Sequence, residues 1–371
     1  MDSLTQMALG AAVGGAVLGR RLGPRAFAWG AVCGTLPDLD VLISHGDPIR
    51  DFTFHRAETH AYFYQTLATP LVAWGLHRLH RAQATYRDWL LFVWLCLITH
   101  ATLDAFTVYG TQLFLPFSDY PVGLGSVFII DPLYTLPLLI GIVAALVLSP
   151  RTRAGLRTNA AGLALSSLYL GWSVAAQSHV EGVVHRTLAA TGTHDGRVLV
   201  TPTPFNTLLW RVVVMDESGF REGYRSLLDP PGPVALEPFE SDIGLLSHLR
   251  DNWDVQRLAW FSKGFYAVQL TGSSAATRRV AGDTNTIGAL GAAHAASADR
   301  GGAEAAQVVI ADLRMGQVPW FVFTFAVAEL VAGEVRPIEP RQLPVERPTS
   351  AVLSWLWNRI ADPQAGSPPR A

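Results

Sequence analysis

His100 and Asp104 stand four residues apart in the run Thr99-His100-Ala101-Thr102-Leu103-Asp104. On a helix that spacing puts both side chains on one face, where an imidazole and a carboxylate can share one cation. A second pair, His55 and His60, is five apart, about 140° on an ideal helix. Both reach one ion only if His55 lies in a loop and His60 in a first helical turn, for which Glu58 and Thr59 are suitable residues. Asp38 and Asp40 follow Pro37, and Arg56 follows His55. Three histidines with carboxylates favour a borderline transition metal, Zn2+ first with Mn2+ or Fe2+ as alternatives, over Ca2+ or Mg2+. Such an ion lowers the pKa of a bound water and polarises a carbonyl or phosphoryl oxygen, which is metal-assisted hydrolysis. Either Asp38 or Asp40 can ligate or serve as general base. The expected ligands are Asp40, His55, His60, His100 and Asp104, with Asp38 and Arg56 catalytic, Arg56 as clamp for an anionic group such as phosphate.

Plainer readings stand beside these. His100 with Asp104 fits a hydrogen-bonded structural pair, and His55 with Arg56 fits interface anchors. Asp119 or Asp131 alone reads as a hydrated helix end, and His45, His77, His80 and His179 as interfacial or solvated. Cys33 and Cys96 lie mid-segment as small hydrophobes, and no G-x-S-x-G, G-x-G-x-x-G or Walker loop supports another chemistry.

The elements that must position these groups are apolar. Runs at 4–19, 26–43, 62–79, 89–108, 127–148 and 160–176 approach the ~20 residues that cross a bilayer, so about six membrane-embedded helices are expected in a domain over 1–178. Arginines gather after the first, third and fifth runs (Arg20, Arg21, Arg25; Arg78, Arg81, Arg87; Arg151, Arg153, Arg157). By the positive-inside rule those connections are cytoplasmic, and the polar clusters and the C-terminal domain then share the outer side.

Beyond 178 the pattern changes to strand-like runs at 197–201, 208–215, 260–261 with 266–270, 307–312 and 320–327, broken by turn signals such as Asp229-Pro230-Pro231-Gly232. An extramembrane α+β domain, mostly β, is expected over 179–347. Residues 280–296 are left open between helix and loop. An amphipathic segment at 351–360 then leads into a Pro-rich tail without fixed structure, within 348–371. Half of the 371 residues are hydrophobic and mean hydropathy is +0.25, which excludes an ordinary soluble enzyme. A net charge of −2 gives no electrostatic case for nucleic acid.

Met1-Asp2-Ser3-Leu4-Thr5-Gln6, Pro37-Asp38-Leu39-Asp40, His55-Arg56-x-x-Thr59-His60, His100-x-x-Leu103-Asp104 and Asp131-Pro132-Leu133-Tyr134 together resemble the YdjM-like family over the first half of the chain. That family is described as LexA-binding and inner-membrane-associated, and is labelled membrane-bound metal-dependent hydrolase. The resemblance implies a multi-pass protein of the bacterial inner membrane with metal-ligating Asp and His at these positions. Gln6 stands where many relatives have His, and Ala57 and Ala61 replace the usual Gly and Ser. The partners expected are the lipid bilayer and a lipid-linked substrate, such as a phosphoester. A non-enzymatic scaffold or regulator with a structural metal is the alternative; oligomeric state is not legible.

Overall fold

A computed structural model describes residues 1–80, 83–192, 196–272, 306–345 and 350–369; the open assignment at 280–296 lies outside them. The chain falls into two compact units. The first comprises Met1–Ser44, Phe54–Ala176 and Pro202–Thr207, and the second His45–Thr53, Gln177–Thr201 and Leu208–Ala371.

The first unit is helical: α1 (Ser3–Leu22), α2 (Pro24–Thr35), α4 (Tyr62–Leu79), α5 (Tyr86–Ala105), α6 (Pro132–Val147) and the start of α7 (Arg153–Ala190). Local chemistry sets the ends. Asp2 caps α1, Pro24 opens α2, Thr85 and Asp88 form a reciprocal capping box on α5, and Asp131 caps α6. Gly10 and Gly30 let α1 and α2 meet backbone to backbone. At Gly34 a Cβ would lie 2.7 Å from the Gln6 carbonyl oxygen and 2.9 Å from Gly10 Cα, so only glycine fits. Trp89, Phe92, Leu18, Leu22, Leu103 and Leu138 fill the core beneath. Between α2 and α4 the chain makes two 3-10 turns, Pro37–Leu42 and Glu58–His60.

The expectation of about six membrane helices is corrected here. Among the described residues one helix, α5, is long and apolar enough to cross a membrane, and α6 is apolar but shorter. The other runs fail for visible reasons: α2 stops at Thr35 before its polar turn, α4 carries Gln65, Thr69 and His77, and α7 carries Arg153, Arg157 and Asn159. In α5 itself 56% of the apolar window is buried inside the unit, so its composition suits a core helix as well as a span. An orientation argument that counts alternate crossings therefore loses its basis.

The second unit is mostly β. One sheet has the order β1 (Val198–Pro202), β2 (Leu209–Met215), β3 (Gly219–Ser226), β4 (Leu236–Glu240). The other runs β10 (Glu334–Gln342), β9 (Thr324–Val331), β6 (Ala306–Asp312), β5 (Tyr266–Thr271), all antiparallel. A small ribbon pairs β7 (Gly316–Gln317) with β8 (Trp320–Phe321). Val213, Phe220, Phe239, Phe265 and Leu313 form a shared apolar core. Trp260 and Phe261, expected in a strand, instead end helix α8 (Trp253–Phe261), which Asn252 caps. The short helix α3 (Pro48–Phe54) contributes Phe52, whose ring centre lies 4.9 Å from that of Phe261, edge-on, and 4.3 Å from that of Phe323, tilted. The C-terminal helix α9 (Ser350–Ala361) seats Trp355, Leu356 and Ile360 against Leu209 and Tyr224. Pro363–Ala365 continues it as a 3-10 turn where a tail without fixed structure is expected.

Candidate metal centre

The centre belongs to the first unit and is built from four residues on three segments. Helix α5 presents His100 and Asp104 from one face, as their spacing requires. The turn Pro37–Leu42 presents Asp38, and Glu58–His60 presents His60. His60 Nε2 and His100 Nε2 lie 3.1 Å apart. Asp38 Oδ1 is 3.4 Å from each of them. Asp104 Oδ2 is 3.3 Å from His60 Nε2 and 3.5 Å from His100 Nε2. A tetrahedral ion with N and O ligands near 2.0–2.2 Å holds its ligand atoms about 3.3–3.5 Å apart, so these separations suit one small cation.

The protons agree with the distances. His100 Nδ1 donates to the Gly34 carbonyl at 2.6 Å. The Thr59 hydroxyl donates to Asp40 Oδ2 at 2.8 Å, so it can only accept from His60 Nδ1, 2.9 Å away. Both neutral rings then turn an Nε2 lone pair toward the same point. Two such nitrogens at hydrogen-bond distance, beside two carboxylates, are satisfied by a shared proton or by a metal cation. Asp104 Oδ2, buried and paired with Arg56, is a further acceptor facing the two rings. These four residues could hold a metal ion.

Of the ligands expected from sequence, His60, His100 and Asp104 come together and Asp40 and His55 lie outside the group, while Asp38, expected as base, joins it. The 3-10 turn is the reason. At 3.0 residues per turn, positions 38 and 40 project about 120° apart. Asp40 faces the other way, accepting from Arg56 N at 3.0 Å and pairing with His55 Nδ1 at 2.8 Å. Burial alone would raise the Asp40 carboxyl, but His55 and the neighbouring donors hold it at about 2. The same competition holds Asp38 well below the usual range, the bonds to His100 and His60 overcoming burial.

Arg56 adopts φ 62°, a left-handed conformation that is costly for a side-chain-bearing residue. Its guanidinium sits 5.0 Å from the Tyr109 ring centre, donates to Thr107 Oγ1 at 3.2 Å and brings Nε within 3.3 Å of Asp104 Oδ2. Asp131 lies apart: it caps α6 and accepts from Tyr169 at 2.8 Å. Sequence reasoning missed the roles of Thr59, Gly34 and Thr107, and saw Gln6 only as a departure. Gln6 Nε2 donates to Asp104 Oδ1 at 3.0 Å, which the α-amino group of Met1 also contacts. Thr59 was legible in principle, as a hydroxyl adjacent to a candidate ligand.

The helical unit thus carries a buried group of two histidines and two aspartates that could hold a metal ion. Residues 1–180 match the family model described as YdjM inner membrane protein, and this region of the chain is YdjM-like. No match is found among curated proteins or among solved structures.

Proposed function

We propose that the protein is a membrane-bound metal-dependent hydrolase acting on a phosphoester that carries a lipid chain. The carrying observation is the convergence of four ligating atoms with unequal access. His60, His100 and Asp104 have fully buried side chains, whereas Asp38 is 18% exposed. Three fixed donors with one reachable side is the arrangement of a catalytic site. His60, His100 and Asp104 would hold the ion, with Zn2+ the first choice for this donor set; once bound it would supply Lewis acidity toward a phosphoryl oxygen and acidify a water. Asp38, kept ionised, receives the proton of the attacking water at Oδ1. Arg56 holds Asp104 in place and supplies the positive charge that an anionic group meets. The lipid chain is argued from the turn that carries Asp38: Leu39, Val41, Leu42 and Ile43 are 49%, 73%, 80% and 56% exposed. Four exposed aliphatic side chains beside a catalytic carboxylate suit an apolar ligand or bilayer, in a family of inner membrane proteins.

The test uses the full chain in detergent, with bound metals quantified and hydrolysis of a long-chain alkyl phosphate followed. His60→Ala and His100→Ala are expected to lose the metal; unchanged metal in both removes the centre. Asp38→Ala is expected to retain metal and lose turnover. A second reading, a scaffold or regulator with a structural ion, is favoured by the deep burial of three donors. It predicts metal-dependent folding with no hydrolysis in the wild type.

A further inference from the structure

The two oxygens of Asp104 face different neighbours. Oδ2 faces His60 and His100 and is paired at 3.3 Å with the Arg56 guanidinium. Oδ1 is turned away and accepts from Gln6 Nε2 at 3.0 Å and from the Met1 α-amino group. The same Gln6 nitrogen donates to the His100 carbonyl at 3.3 Å. Both targets are acceptors, so the amide must present its nitrogen here, and its orientation is fixed by chemistry. Gln6 is 0% exposed, on the first turns of α1, locked where the Gly34 backbone closes against its carbonyl. One side chain from another helix thus ties together two residues of α5.

A carboxylate can ligate through one oxygen or through both, and the choice changes the coordination number. We propose that Gln6 is a positioning residue that makes Asp104 a one-oxygen ligand and so biases the centre toward a four-coordinate ion. With Oδ1 engaged, the protein's donors are the two imidazole nitrogens and one Asp104 oxygen, and the fourth position is left open beside Asp38. That set suits Zn2+ or Co2+; recruiting the second oxygen shifts it toward ions that prefer six ligands, such as Mn2+. The inference rests on the metal-centre reading above.

The experiment loads the full-length protein, in detergent, with Co2+, whose visible absorption is intense when four-coordinate and weak at higher coordination. Wild type is expected to bind one equivalent with the intense band. Gln6→Leu, which removes the donor at similar size, is expected to bind Co2+ with a weaker band. Its Zn2+ affinity should fall about 10–100-fold, with Mn2+ affinity less affected. Gln6→Glu, which keeps the chain length and loses the donor, is expected to move the same way, and covers the case in which the leucine variant does not fold. An unchanged band and unchanged Zn2+ to Mn2+ preference in a folded variant overturn the role of Gln6 alone. A wild type that binds no Co2+, with His100→Ala indistinguishable from it, overturns the metal centre itself.

Discussion

Thr59 shows how much one hydroxyl decides at the residue scale. It spends its only proton on Asp40 and thereby forces His60 to donate from Nδ1, which leaves Nε2 for a cation. Thr59→Val keeps the shape and removes both bonds. Metal affinity is expected to fall about 10–100-fold, measured by competition with a chromogenic chelator; an unchanged affinity would show that His60 is oriented by packing alone. Asp40 gives the pH dependence. Its folded value of about 2 lies below the ordinary 3.8, so folding favours the ionised form. The associated stabilisation, roughly 2 kcal/mol at most, is fully present above about pH 4 and is lost as pH falls through 2. In chelator-treated protein, the acid-side drop in Tm is expected to be shallower for Asp40→Asn than for wild type.

At the scale of elements, the centre depends on how closely α1 and α2 approach. A methyl at Gly34 would meet the backbone at Gln6 and Gly10, which cannot swing aside as a side chain can. Gly34→Ala is expected to cost about 1–3 kcal/mol and to weaken metal binding as well, because the Gly34 carbonyl fixes His100. Thermal unfolding and metal titration read the two effects separately. The α5 pair was legible in the sequence because a helix has one period and i,i+4 has one meaning. The choice between Asp38 and Asp40 was not, since it depends on a 3-10 turn that apolar patterning does not announce. His55 was placed correctly in a loop, but its partner, Asp40, comes from a segment fifteen residues earlier. Charged strands were missed for a related reason: β3 hides Glu222 because Arg211 on β2 pairs with it, and β10 is an edge strand with polar residues on much of its length.

For the whole molecule, a bound ion couples the centre to stability. Ligand present at a hundred times its Kd adds about 2.7 kcal/mol to the folded state. Chelator is therefore expected to lower Tm, added Zn2+ to restore it, and His100→Ala to abolish both responses. The helical and β halves were visible from composition, yet the boundary at 178 was too simple. Residues 45–53 pack with the second unit and 202–207 with the first, because contacts made by a few aromatic and hydroxyl side chains outweigh chain order. Phe52 illustrates the consequence. Its aromatic partners Phe261 and Phe323 leave the ribosome long after it does. During synthesis residues 45–53 therefore wait for partners made more than two hundred residues later, so their place in the second unit is fixed only once those partners have emerged.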